Sequence, residues 1–195
     1  MMLGHLYLYF IMLSSVFRDR RDWMVFFHVT LAASLIVSFV ALLQKFGYRV
    51  SLQGGFRVDS TIGNPTYLAS YLVFHVWLLV MLLRNFWTNW WLRIIYTALL
   101  LFELLIIYYT ATRGAVLALL VVSFLFVIAL FFFWPKVFPA NRRLRPWALV
   151  VPLSLVLVPL TLWQFRNVSF VRSSPVLSRL TQISFQERTI QSRFL

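Results

Sequence analysis

Arg113 lies between two long apolar runs, Leu92 to Tyr109 and Ala115 to Trp134, with Thr110, Ala111 and Thr112 before it and Gly114 after. A guanidinium at a membrane boundary is costly to place, so it marks a candidate functional site, and the partner it calls for is an anion. At a helix start, the unpaired backbone N–H groups and the positive dipole end favour an anion. The planar fork of a guanidinium matches phosphate oxygens as well. The same arginine could equally serve as an anchor that snorkels to lipid phosphates, and residue type alone leaves the two readings even.

The other groups able to do chemistry are few. The acids are Asp19, Asp22, Asp59, Glu103 and Glu187, too few and too scattered for a paired-carboxylate mechanism or a carboxylate metal cluster. His5, His28 and His75 fall in apolar segments without ligand spacing and read as packing or interfacial histidines. Cysteine is absent, which excludes disulfides and thiolate metal sites. The expectation is a protein without metal or cofactor. Glu103 sits within an apolar run, where a carboxylate needs a proton or a partner. It reads either as part of a proton or ion path or as a neutral, hydrogen-bonded side chain. Arg113 is ten residues away, about 15 Å along a helix, so the two cannot pair on that helix.

A second element runs from Phe56 to Ala69. Gly63-Asn64-Pro65 is a turn signature, in which Asn64 can cap the following helix with Pro65 at its first position. Arg57, seven residues before Asn64, offers another cation near the same turn.

The elements that must position these residues are membrane helices. With 62% hydrophobic, 18% aromatic and 12% charged residues, a soluble domain of this length could not cover its apolar surface. The fold class expected is all-α, a polytopic transmembrane helix bundle. Six apolar segments are placed at Leu3 to Phe17, Trp23 to Leu43, Thr66 to Leu83, Leu92 to Tyr109, Ala115 to Trp134 and Trp147 to Trp163. The fourth and fifth joined would run about 63 Å, twice the hydrocarbon thickness, so a turn is expected at Thr112-Arg113-Gly114. Pro152 and Pro159 should bend the sixth segment. Beyond it, Ser174-Pro175 with Val176, Leu180 and Ile183 reads as a short amphipathic helix on the external membrane surface.

Loops on alternate sides carry nine Lys and Arg each, but those after the first, third and fifth segments are shorter and denser in charge, and they are assigned to the cytoplasm. The turn at Arg113, the stretch from Gln44 to Pro65 and the tail from about residue 164 then face outward. Trp87, Trp90 and Trp91 fit an interfacial aromatic belt. The net charge of +13 is spread over loops rather than one soluble face, so membrane lipids and lipid-linked phosphates are expected as partners and nucleic acid is not. Residues 1–195 read as a single membrane domain. The clipped first segment and an ending in mid-pattern suggest part of a larger protein.

Taken together, these elements resemble the O-antigen ligase and O-antigen polymerase family of polytopic bacterial glycan transferases. The resemblance rests on Gly63-Asn64-Pro65-Thr66-Tyr67-Leu68-Ala69 at the head of one span and Thr112-Arg113-Gly114-Ala115 two spans later. It rests also on Ser178-Arg179-Leu180 leading to Ser192-Arg193-Phe194-Leu195. It implies transfer of a glycan from a polyprenyl-pyrophosphate carrier to a glycan or lipid acceptor hydroxyl, on the external face of the bacterial inner membrane, in surface polysaccharide or lipopolysaccharide synthesis. Protein glycosylation is a close variant. It also implies that Arg113 and Arg193 hold the pyrophosphate, with Arg57 as a further external cation, and that no metal is used. The family's later external histidine has no counterpart after Arg193, and no general base is evident beyond the distant Glu187. The rival from another class is a transporter or channel subunit, in which Glu103, Arg113 and the proline-bent helix would line a path.

Overall fold

The computed structural model describes residues 2–52 and 55–137, together with 164, 173 and 178. Among these residues the chain is all-helical: α1 (Met2–Val16), α2 (Arg20–Lys45), α3 (Pro65–Asn85), α4 (Trp90–Thr110) and α5 (Arg113–Val137). The expected sixth segment, its prolines Pro152 and Pro159, and the amphipathic helix after Ser174 lie outside the described residues.

Three helices, α2, α3 and α4, are long and apolar enough to cross a membrane. At 1.5 Å per residue, the 21 residues of α3 and of α4 match a hydrocarbon core of about 30 Å, and α2 exceeds it. They mark the chain as a membrane protein. α1 and α5 contain shorter apolar stretches, Tyr7–Val16 and Arg113–Ala129.

The turn between α4 and α5 comes earlier than Thr112-Arg113-Gly114. Thr110 is the last residue of α4, and Ala111 and Thr112 alone make the connection, so Arg113 and Gly114 are the first two residues of α5. The reversal is achieved by Ala111, which adopts the left-handed conformation at φ 48° and sends its N–H to the Tyr108 carbonyl at 3.0 Å. That is a helix stop usually assigned to glycine, and its use of alanine hid the boundary.

α3 is the central helix. Its buried face, Leu68, Ala69, Leu72, Val76, Leu79 and Leu82, repeats at helical spacing and packs most extensively on α4. α2 runs parallel to α4 and antiparallel to α3. It presents Leu31, Ser34, Ser38 and Ala41 to the interior, all buried. Small residues at this face allow close approach, which is how helices associate where lipid removes a hydrophobic driving force.

Polar side chains then join α2 to α4. His28 donates from Nδ1 to the Met24 carbonyl at 2.6 Å, and its Nε2 lies 2.7 Å from the Tyr96 hydroxyl. Ser34 Oγ lies 2.6 Å from Glu103 Oε1. His75 similarly satisfies the Tyr71 carbonyl one turn back. α5 adjoins α3 and α4, with Trp77 edge-on to Phe126 at 5.3 Å between ring centres.

The end of the bundle that holds the start of α2 and the α3–α4 turn is basic and aromatic. Arg20 bonds to the Asn85 side chain across it. The Arg93 guanidinium lies 5.2 Å from the Trp87 ring centre and 4.8 Å from that of Trp90. Trp87, Trp90 and Trp91 are exposed, as an interfacial belt requires.

Substitutions at the α2 face test this packing. Ser38→Leu should lower the stability of the detergent-solubilised protein by about 1–3 kcal/mol through overpacking. Ser38→Ala, which keeps the small volume, should change it by less, and thermal unfolding of the two variants checks the difference.

Candidate functional site

The other end of the bundle collects the residues singled out for chemistry. It is built from the C-termini of α2 and α4, the N-termini of α3 and α5, and the loop between α2 and α3. The expected outward-facing segments, Gln44 to Pro65 and the Arg113 turn, are therefore neighbours.

The loop is organised by Gln44, near the end of α2. Its side-chain oxygen accepts from the backbone N–H of Asp59 at 3.1 Å and of Ser60 at 2.7 Å. Its amide nitrogen donates to Asp59 Oδ1 at 2.8 Å. Ser51 donates to the other Asp59 oxygen at 2.8 Å. Ser60 donates to the Val37 carbonyl at 2.6 Å and holds a left-handed φ of 54°. The segment thus folds back over α2, with Val58, Asp59 and Ser60 buried. Gln44 is not marked by any local motif; its place directly after the apolar run Trp23 to Leu43, before a polar loop, was the available signal.

This arrangement delivers Arg57 to the α4–α5 turn. Its Nε donates to the Thr110 carbonyl at 2.8 Å and Nη2 to the Thr112 hydroxyl at 3.0 Å. Thr110 ends α4, where the final carbonyls lack intrahelical hydrogens and carry the negative end of the dipole. Thr112 extends the link: its hydroxyl lies 3.3 Å from the Pro65 carbonyl and 3.3 Å from that of Thr110. One guanidinium thereby connects the loop, the end of α4, the entry to α5 and the head of α3.

At the head of α3, the Asn64 side chain accepts from the Thr66 N–H at 2.8 Å, and Pro65 is the first helical residue. Pro65 has no N–H to leave unpaired at that position. Gly63 holds φ 73°, and a Cβ there would meet the Leu52 side chain at 3.2 Å, so the turn needs glycine on two counts.

Arg113 is half-buried at the first position of α5. The first intrahelical bond of α5 runs from the Val116 N–H to the Thr112 carbonyl at 3.2 Å. The N–H groups of Arg113, Gly114 and Ala115 precede it, and these are the positions of a helix that receive anions. Among the described residues, a Cβ on Gly114 would meet nothing within 4 Å, so the flank of this first turn is open. Lys45 adds a further cation, its ammonium 5.0 Å from the Tyr109 ring centre.

Arg57, Asn64, Pro65 and Arg113 are therefore brought to one end. Arg193 lies outside the described residues, as does Glu187. Glu103 is far from this end, enclosed between α4 and α2. Asp59, the one acid at this end among the described residues, has both carboxylate oxygens engaged by Gln44 and Ser51. Among the described residues no cluster of His, Cys, Asp and Glu could hold a metal ion.

Removing the pin should loosen the site. Gln44→Ala removes the acceptor of two buried N–H groups and one donor to Asp59, at about 1–3 kcal/mol for each buried group left unsatisfied. The expected outcome is faster amide hydrogen exchange across residues 57–60 with α3 and α4 still protected; unchanged exchange there would contradict the arrangement.

No family model, curated protein or solved structure matches this chain.

Proposed function

We propose that the chain acts as an O-antigen ligase or polymerase-like membrane protein that handles a glycan carried on polyprenyl pyrophosphate at the external face of a bacterial inner membrane. The observation that carries this reading is the convergence of Arg57, Thr112 and Arg113 with the Asn64-Pro65 turn at one end of the bundle. Motifs separated by two spans in sequence meet there, beside the start of α5.

In this reading α1, α5 and the sixth apolar segment are also crossings, and the end that holds Arg113 faces outward. Arg113 and the first-turn N–H groups of α5 receive the pyrophosphate, and Arg193 joins them from the tail. Arg57 is already engaged by the turn, so its contribution is a fixed positive charge beside the phosphate and a rigid seat for Arg113. An acceptor hydroxyl attacks the sugar carbon bonded to the pyrophosphate, the bond to the phosphate oxygen breaks, and polyprenyl pyrophosphate leaves. Preorganised cations stabilise the charge that grows on the departing oxygen. Asp59 is committed to the loop and is not the base that takes the hydroxyl proton.

Arginine chemistry provides the test. Replacing Arg113 by Ala in the membrane-embedded protein should reduce surface-glycan transfer by roughly tenfold or more, the loss of one or two charge-assisted hydrogen bonds. Lys should restore little, because a point charge does not reproduce the bidentate fork. Full rescue by Lys would instead identify a lipid-anchoring arginine, and unchanged transfer in both variants at normal expression would sink the assignment.

A further inference from the structure

Hydrogen accounting inside the bundle singles out Glu103. The residue is wholly enclosed within α4, at 0% exposure. Ser34 Oγ lies 2.9 Å from the Leu31 carbonyl and 2.6 Å from Glu103 Oε1. A serine hydroxyl carries a single hydrogen, and a carbonyl can only accept. The two contacts therefore cannot both draw on it; given to the Leu31 carbonyl, it is lost to Glu103. The shorter contact then has two oxygens and no hydrogen between them unless Glu103 supplies one.

We propose that Glu103 is a proton-binding site in the middle of the bundle, its carboxyl O–H donating to Ser34 and so tying α4 to α2. The proton is the ligand, and the site consists of Glu103 Oε1 with Ser34 Oγ as its acceptor. The surroundings agree. Among the described residues, Glu103 Oε2 has no hydrogen-bond partner. In a carboxylate that oxygen would be charged and bare, whereas in the acid it is a neutral carbonyl oxygen, which is far less costly to leave so.

Among the described residues, the groups that face this site offer no fixed countercharge. α2 presents Leu31, Ser34, Ser38 and Ala41, and the Ser38 hydroxyl is likewise buried without a partner. From α3 come Tyr71, in electrostatic contact with Glu103, and His75, whose Nδ1 donates to the Tyr71 carbonyl. On α4 the nearest polar residues toward the basic end are Thr97, whose hydroxyl donates to the Arg93 carbonyl, and Tyr96, held by His28. The Lys and Arg residues of the described helices stand at helix ends, Arg113 of α5 among them, about 15 Å along the axis from Glu103. An ionised carboxylate here would be an uncompensated buried charge. This site is separate from the phosphate-facing end, and it stands whether or not that end binds a pyrophosphate.

Infrared difference spectroscopy between the membrane-embedded protein and E103Q at neutral pH reads the protonation state directly. The expected spectrum loses, in the variant, the carbonyl stretch of a protonated acid; loss of a pair of carboxylate stretches instead would overturn the proposal. Thermal unfolding supplies a second readout. The Gln amide can donate to Ser34 in place of the acid, so E103Q should keep the wild-type melting temperature while E103L lowers it. E103Q melting as low as E103L would show that a donated hydrogen is not what joins the helices.

Discussion

A helix that ends at a membrane face leaves its last carbonyls without hydrogens, and at the end of α4 one of those hydrogens comes from Arg57. The Thr110 carbonyl receives Nε and the Thr112 hydroxyl receives Nη2, so α4 can stop and α5 can begin within two residues. Much else at this end depends on that contact. The loop must fold back to deliver the arginine, which is the task of Gln44, and Thr112 must face inward, where it meets the Pro65 carbonyl. The cost of placing a charge near lipid is offset because the charge satisfies a helix end that would otherwise be bare. Arg113 inherits its position from this arrangement: it is the next residue after the turn that Arg57 holds.

The interior solves a related problem with neutral groups. Ser34, Ser38 and Ala41 let α2 approach its neighbours closely, and the His28–Tyr96 and Ser34–Glu103 pairs supply directional contacts that apolar packing lacks. The two ends of the bundle differ in the use they make of positive charge. At one, Arg93 lies over tryptophan rings suited to an interface. At the other, Arg57 is drawn into a backbone network, and Arg113 stands at a helix start.

Helix existence was legible from apolar runs because each of the first five is longer than any strand and bounded by polar or turn residues. The Asn64-Pro65 turn could be read locally because a cap and its helix are neighbours in sequence. The α4–α5 turn falls a residue or two before Thr112-Arg113-Gly114, since the length of the apolar runs requires a break without fixing its residue, and Ala111 carries the left-handed conformation. Arg57 could be named as a cation at this end, but its partner lies 53 residues away, and no local pattern encodes that pairing. Gln44 escaped notice for the same reason: its value lies in two backbone N–H groups fifteen and sixteen residues on.

The amino-acid sequence by itself determined that this is a helical membrane protein, where five of its helices lie to within a few residues, and which cations border the spans. These follow from composition and periodicity, which act over a few turns of chain. Only the tertiary structure decided which carbonyls those cations serve. It alone brought Glu103 within hydrogen-bond distance of the Ser34 hydroxyl, which also lies close to the Leu31 carbonyl. Those outcomes depend on hydrogen-bond partners at long sequence separation, and a hydrogen bond exists only when packing has brought two atoms within about 3 Å.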